Sequence, residues 1–145
     1  MDFSENYKEL GKLLVQKMRD ENYSSYLQIR DNAKSKTKEQ YYSESRNPNL
    51  DKELQKLADD RFELLNSLAP KHQATLDKLI LNILDSTAFN FLREIEENLD
   101  KESSIGLTIN GKPIETIQTE LLSGTLFGEY FLWTEKNSNH GEFQQ

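Results

Sequence analysis

From residue 4 to residue 21 the apolar positions recur at helical spacing: Tyr7, Leu10, Leu14 and Met18 fall three or four apart, and Leu13 and Val15 widen the stripe. That spacing gathers side chains on one helix face, and the Ser4 hydroxyl can satisfy a free amide at its start. The helix can continue unevenly through Tyr23, Tyr26, Leu27 and Ile29, although Ser24 and Ser25 weaken the pattern. Between 31 and 49 the apolar signal nearly vanishes except at Tyr41 and Tyr42, which predicts a long polar connection or a solvent-exposed helical excursion. Asn47 as a cap and Pro48 at the first helical position then mark a new helix. Its stripe is Leu50, Leu54, Leu57, Leu64 and Leu68, broadened by Phe62 and Leu65 and interrupted by Arg61. Pro70 ends this helix or opens the next, because proline has no amide to donate inside a helix.

The strongest pattern covers 71–99. Leu76, Leu79, Ile80, Ile83, Leu84, Ala88, Phe91, Leu92, Ile95 and Leu99 make a broad apolar face, as a central core helix requires. Asp85, Ser86 and Thr87 are weak helix formers within it and permit a bend. The period then switches to two at Ile105, Leu107 and Ile109. Asn110-Gly111 follows, a strong hairpin signal because a type I′ turn needs positive φ at both central residues. Pro113 cannot donate to a ladder, so the returning strand belongs at an edge, and so small a hairpin must pack on a helix. A short helix over 116–122 and a last one over 125–136 complete the pattern, and the polar tail 137–145 is expected to fray. The expected fold is a single domain over 1–145, mainly α (α+β by a strict count). It has one long central helix and a small β-hairpin near 105–114.

Composition narrows the setting. A chain of 145 residues hides roughly 70% of its unfolded surface on folding, enough for an ordinary core without staples. With no cysteine, a disulfide framework and thiolate metal sites are excluded, and a reducing, cytoplasmic location is expected. No stretch reaches the apolar length of a membrane span, and the polar start from Met1 to Glu5 lacks the layout of a signal peptide. No membrane association is therefore expected. The net charge is −7 and is unevenly placed. Residues 1–72 carry 13 Lys plus Arg and 13 Asp plus Glu, whereas residues 73–145 carry 5 against 12.

Catalytic patterns are scarce. Two histidines, His72 and His140, without a HExxH or ExxH spacing or an EF-hand loop, offer no metal site, and no cofactor is expected. The glycines form neither a GxGxxG nor a GxxxxGK[ST] arrangement, and no serine sits in a GxSxG elbow. Adjacent acids such as Asp59-Asp60 and Glu96-Glu97 point to different helix faces. Asp85 alone lies beside the apolar face of the long helix. A carboxylate there is hydrogen-bonded to a nearby helix end or hydroxyl, or else is catalytic, since an unpartnered buried charge is costly.

Two surfaces remain for partners. Glu94, Glu96, Glu97, Asp100 and Glu102 form the densest acidic run, offset only by Arg93 and Lys101, and Glu94, Glu96, Asp100 and Glu102 are its candidate contact residues. Such a field either keeps the protein soluble or attracts a basic partner. Tyr130 and Trp133, within the aromatic cluster Phe127, Tyr130, Phe131 and Trp133, either pack on the core or form an interface. The expectation is a non-enzymatic protein-binding module of inhibitor or immunity type, neutralising a basic partner such as a toxin or nuclease. The acidic residues with Tyr130 and Trp133 would be its contact set. One alternative is a self-associating structural or adaptor protein that uses the aromatic C-terminal helix. Another is a nucleic-acid binder through segment 23–46, where Tyr23, Tyr26, Arg30, Lys34, Lys36, Lys38, Tyr41, Tyr42 and Arg46 interleave cations with rings. The acidic total disfavours nucleic acid.

Overall fold

Thr37, Asp51 and Thr125 each cap the helix that follows with a side-chain oxygen accepting a first-turn amide. The computed structural model describes residues 3–99, 107–109, 111–113 and 121–143. Helix α1 spans Phe3–Leu14, α2 Glu21–Lys34, α3 Lys38–Gln40, α4 Lys52–Ser67, α5 Pro70–Leu99 and α6 Leu126–Asn137, with π-helical stretches at Val15–Asp20 and Tyr41–Ser45. The mainly α class holds. No described helix is long and apolar enough to cross a membrane.

Several starts differ from expectation. Helix α1 already begins at Phe3, which places Ser4 inside its first turn. Asn47 does not cap α4. Its side chain turns back to accept from the Asn49 amide at 3.0 Å, and Asp51 caps the helix by accepting from the Leu54 amide at 2.9 Å. Asn and Asp compete for both roles because each can bond to the backbone just downstream. Pro70 opens α5, which runs unbroken past Asp85, Ser86 and Thr87. The connection 31–49 takes the helical option, with Thr37 and Gln40 forming a reciprocal capping box around α3.

Thr108–Ile109 (β1) and Lys112–Pro113 (β2) pair antiparallel, Thr108 opposite Pro113 and Ile109 opposite Lys112. Four paired residues do not support the expected hairpin over 105–114 as a layer packed on α5, and the flanking positions lie outside the described residues. The expected helix over 116–122 lies mostly outside them as well.

The chain divides into two compact units, one formed by 1–23 and 79–145, the other by 24–78. The core of the first comprises Tyr7, Val15, Ala88, Leu92, Leu121, Leu126, Tyr130 and Trp133. Trp133 lies against Gly11 of α1 so closely that a Cβ there would fall 2.3 Å from the indole. Residues 138–143, expected to fray, are held in place. Phe143 sits 4.2 Å from Phe131 and 5.7 Å from Tyr130, centroid to centroid.

In the second unit, Ala33, Phe62 and Leu65 form the core, with Tyr41 stacked on Phe62 at 4.0 Å. Here the leucine stripe misleads. Leu54, Leu57 and Leu64 are more than half exposed, and α4 instead buries the face of Gln55, Phe62 and Leu65. Helix α5 shows the same shift, burying Leu81, Asp85, Ala88, Leu92 and Glu96 while Leu79, Ile83 and Phe91 stay exposed.

Candidate functional site

The first unit holds a charge network whose centre, Arg19, Asp20, Asp85 and Tyr130, is buried. Arg19 comes from the π-helical stretch Val15–Asp20, where neighbouring Arg19 and Asp20 both turn inward. Its Nε donates to Asp85 Oδ1 at 2.7 Å and its Nη2 to Asp85 Oδ2 at 3.3 Å. Nη2 also donates to the Glu142 carbonyl at 2.7 Å, and Nη1 to the Gly141 carbonyl at 2.9 Å and to Ser138 Oγ. All five guanidinium hydrogens therefore have acceptors. Tyr130 adds a hydroxyl donated to Asp85 Oδ1 at 2.9 Å, and Asp20 accepts from Ser138 Oγ at 2.6 Å and from the Asn139 amide at 2.9 Å.

Burial, followed by the negative charge of Asp85 and the hydrogen bond to it, pushes the Tyr130 phenol above its ordinary range. Tyr130 thus stays a neutral donor. Asp85 has the hydrogen-bonded form expected for a buried acid, with Arg19 and Tyr130 as its partners. The arrangement clamps the segment after α6 to α5 and to the π-helical stretch.

Two further acids work inside the fold. Glu96 is buried and accepts the Leu126 amide at 2.9 Å, and Glu129 accepts from the Ser123 amide and hydroxyl at 2.9 and 2.7 Å. Both carboxylates lie at the N-terminal turn of α6, where free amides and the helix dipole favour negative charge. Tyr130 and Trp133 are buried too. Three members of the expected contact set, Glu96, Tyr130 and Trp133, therefore face inward. Asp100 and Glu102 lie outside the described residues.

Glu94 is exposed, as expected, and Glu97 joins it, paired with Arg93 at 3.1 Å on the surface. At 3.6 residues per turn, Leu79, Ile83, Phe91, Glu94 and Glu97 share roughly one third of the α5 circumference. Half-exposed Leu79, Ile83 and Phe91 thus adjoin two carboxylates on one open face. The first unit carries 8 Lys plus Arg against 16 Asp plus Glu, a formal −8, and the second 10 against 9. Among the described residues, the acids Asp20, Asp85, Glu96 and Glu129 are buried, as is Arg19.

In the second unit the interleaved cations and rings of segment 23–46 are largely engaged with each other's neighbours. Arg30 Nη1 and the Tyr26 hydroxyl both donate to Asp77, at 2.6 and 2.7 Å. Lys34 donates to the Asn66 and Leu68 carbonyls at the end of α4. Asp59 gathers Tyr41 at 3.1 Å, Gln55 at 2.9 Å and Arg46 at 2.8 Å. Partial desolvation works against ionisation of Asp59, but those three hydrogen bonds prevail and hold its carboxyl below the ordinary value. Tyr42 donates to Glu63 at 2.8 Å, and mainly for that reason its phenol is pushed up to about 12. Tyr23, on the first unit, meets His140 edge-on at 4.8 Å.

Among the described residues no group of three or more His, Asp or Glu could hold a metal ion. Nothing in the sequence pattern singled out Arg19 or Asp20. Their partners are 66 and 118 residues away, and only their proximity to apolar Val15 and Met18 hinted at burial. Comparison with known proteins yields no matching family model, curated protein or solved structure.

Proposed function

We propose that the chain is a non-enzymatic, acidic protein-binding module of inhibitor or immunity type, and that it docks a basic protein on the open face of α5. The observation that carries this reading is the uneven charge: a formal −8 on one unit against +1 on the other, with Glu94 and Glu97 beside exposed Ile83 and Phe91. Interfaces pair apolar anchors with a polar rim, and opposite charge steers the encounter. The acid best placed for chemistry by sequence, Asp85, is tied to Arg19 and Tyr130. The absence of cysteine fits a reducing, cytoplasmic setting.

Co-purification with the products of neighbouring genes, followed by calorimetry on the recovered pair, tests the proposal. A basic partner whose affinity drops at least tenfold with Glu94→Lys/Glu97→Lys supports it. A partner of neutral or acidic character, or one indifferent to the reversal, rejects it. A second reading, self-association, is favoured by Leu54, Leu57 and Leu64, which stand more than half exposed on α4. Light scattering across a concentration series distinguishes it by a rising mass that Leu57→Glu abolishes.

A further inference from the structure

The second unit contains a cleft of about 220 Å³ lined by α2, α4 and the π-helical stretch Tyr41–Ser45. Three features set it apart. First, two cations border it, Lys36 in the bend just past the end of α2 and Arg61 on α4 beside Ala58. In a unit where Arg30 and Arg46 are ion-paired and Lys34 is bonded to carbonyls, neither Lys36 nor Arg61 has a carboxylate within 4.0 Å among the described residues. Lys36 is half-buried and Arg61 is exposed, so each can lay its apolar stem along the cleft while its charged end stays available to an anion. Second, both ends of a π-helical stretch, Tyr41 and Ser45, face the cleft, and such irregular turns are concentrated at functional sites. Third, one wall is apolar and aromatic, since Tyr41 lies flat on Phe62 with an interplanar angle of 4°.

We propose that this cleft binds a small organic anion, a carboxylate or phosphate carried on a single ring, with Lys36 and Arg61 holding the charged group and the Tyr41–Phe62 wall holding the ring. Charge-assisted hydrogen bonds to two cations supply orientation, and the apolar wall supplies contact area, the usual division of labour in small-ligand sites. The volume suits one ring and not a dinucleotide. The site lies within the second unit and needs no protein partner.

Amide chemical-shift titration of the full chain tests this with three probes: benzoate, phenyl phosphate and the neutral benzyl alcohol. Either anion is expected to move the amides of Asn32, Lys36, Tyr41, Ser45, Ala58 and Arg61 together, the stronger of the two identifying the acid class, while benzyl alcohol binds at least tenfold more weakly. Lys36→Gln/Arg61→Gln should weaken the anion at least tenfold with the remaining spectrum unchanged, and Ala58→Leu should occlude the cleft. No shift at millimolar anion, equal response to benzyl alcohol, or shifts scattered over surface lysines would each overturn the proposal. Because the comparison of anions with the neutral probe uses the unaltered protein, it decides the matter even if a variant fails to fold.

Discussion

Arg19 and Asp85, 66 residues apart in the chain, form a two-pronged ion pair with both side chains fully buried. A buried pair of this kind need not stabilise relative to apolar residues of the same shape, but breaking it from one side strands the other charge. Asp85→Ala and Arg19→Ala are each expected to lower the unfolding free energy by about 3–5 kcal/mol. Arg19→Met/Asp85→Leu should lose clearly less than the sum of the two. Urea denaturation of the three variants measures this, and additive losses would show that the two side chains act separately.

Gly11 of α1 packs directly against the indole of Trp133 on α6. Alanine in place of a mid-helix glycine ordinarily gains about 0.5–1 kcal/mol. At Gly11 the added carbon would overlap the indole, 2.3 Å from its nearest atom. Gly11→Ala should therefore destabilise by about 1–3 kcal/mol, the usual range for overpacking. A rise in the urea midpoint would mean that α1 and α6 do not meet at this point.

Tyr130 connects the buried network to alkaline stability. Burial, reinforced by Asp85, raises its folded pKa above the ordinary 10.0. The unfolded chain therefore releases this proton first, and the contribution of the neutral phenol is complete below pH 10 and declines as pH climbs above it. Unfolding free energy should fall with pH in that window, less steeply in Tyr130→Phe than in the wild type. Equal slopes for the two proteins would contradict a protected phenol.

Sequence periodicity captured the elements better than their faces. Helices α1, α5 and α6 were legible because apolar residues recur at helical spacing and because Pro70 and Thr125 stand at the starts of α5 and α6. The buried seams were not. Leucines at 54, 57 and 64 suggested the wrong side of α4, since the true side includes Gln55, whose amide is occupied by Asp59. On α5 the seam runs through Asp85 and Glu96, acids that become buriable only through Arg19, Tyr130 and the Leu126 amide, all remote in sequence. The tail reads as a frayed end for the same reason: its anchor, Arg19, lies near the other end of the chain. Of the expected contact set, Glu94 kept its exposed place, while Glu96, Tyr130 and Trp133 were drawn into the fold.

Stopped-flow association with the basic partner proposed above, followed from about 0.01 M to about 0.15 M ionic strength, tests the docking claim most directly. Rim charges act mainly on the encounter rate, whereas buried contacts act on dissociation. For the wild type the association rate should fall steeply as salt rises, and Glu94→Lys/Glu97→Lys should flatten that dependence. A rate that ignores both salt and the reversal would contradict an acidic docking face on α5.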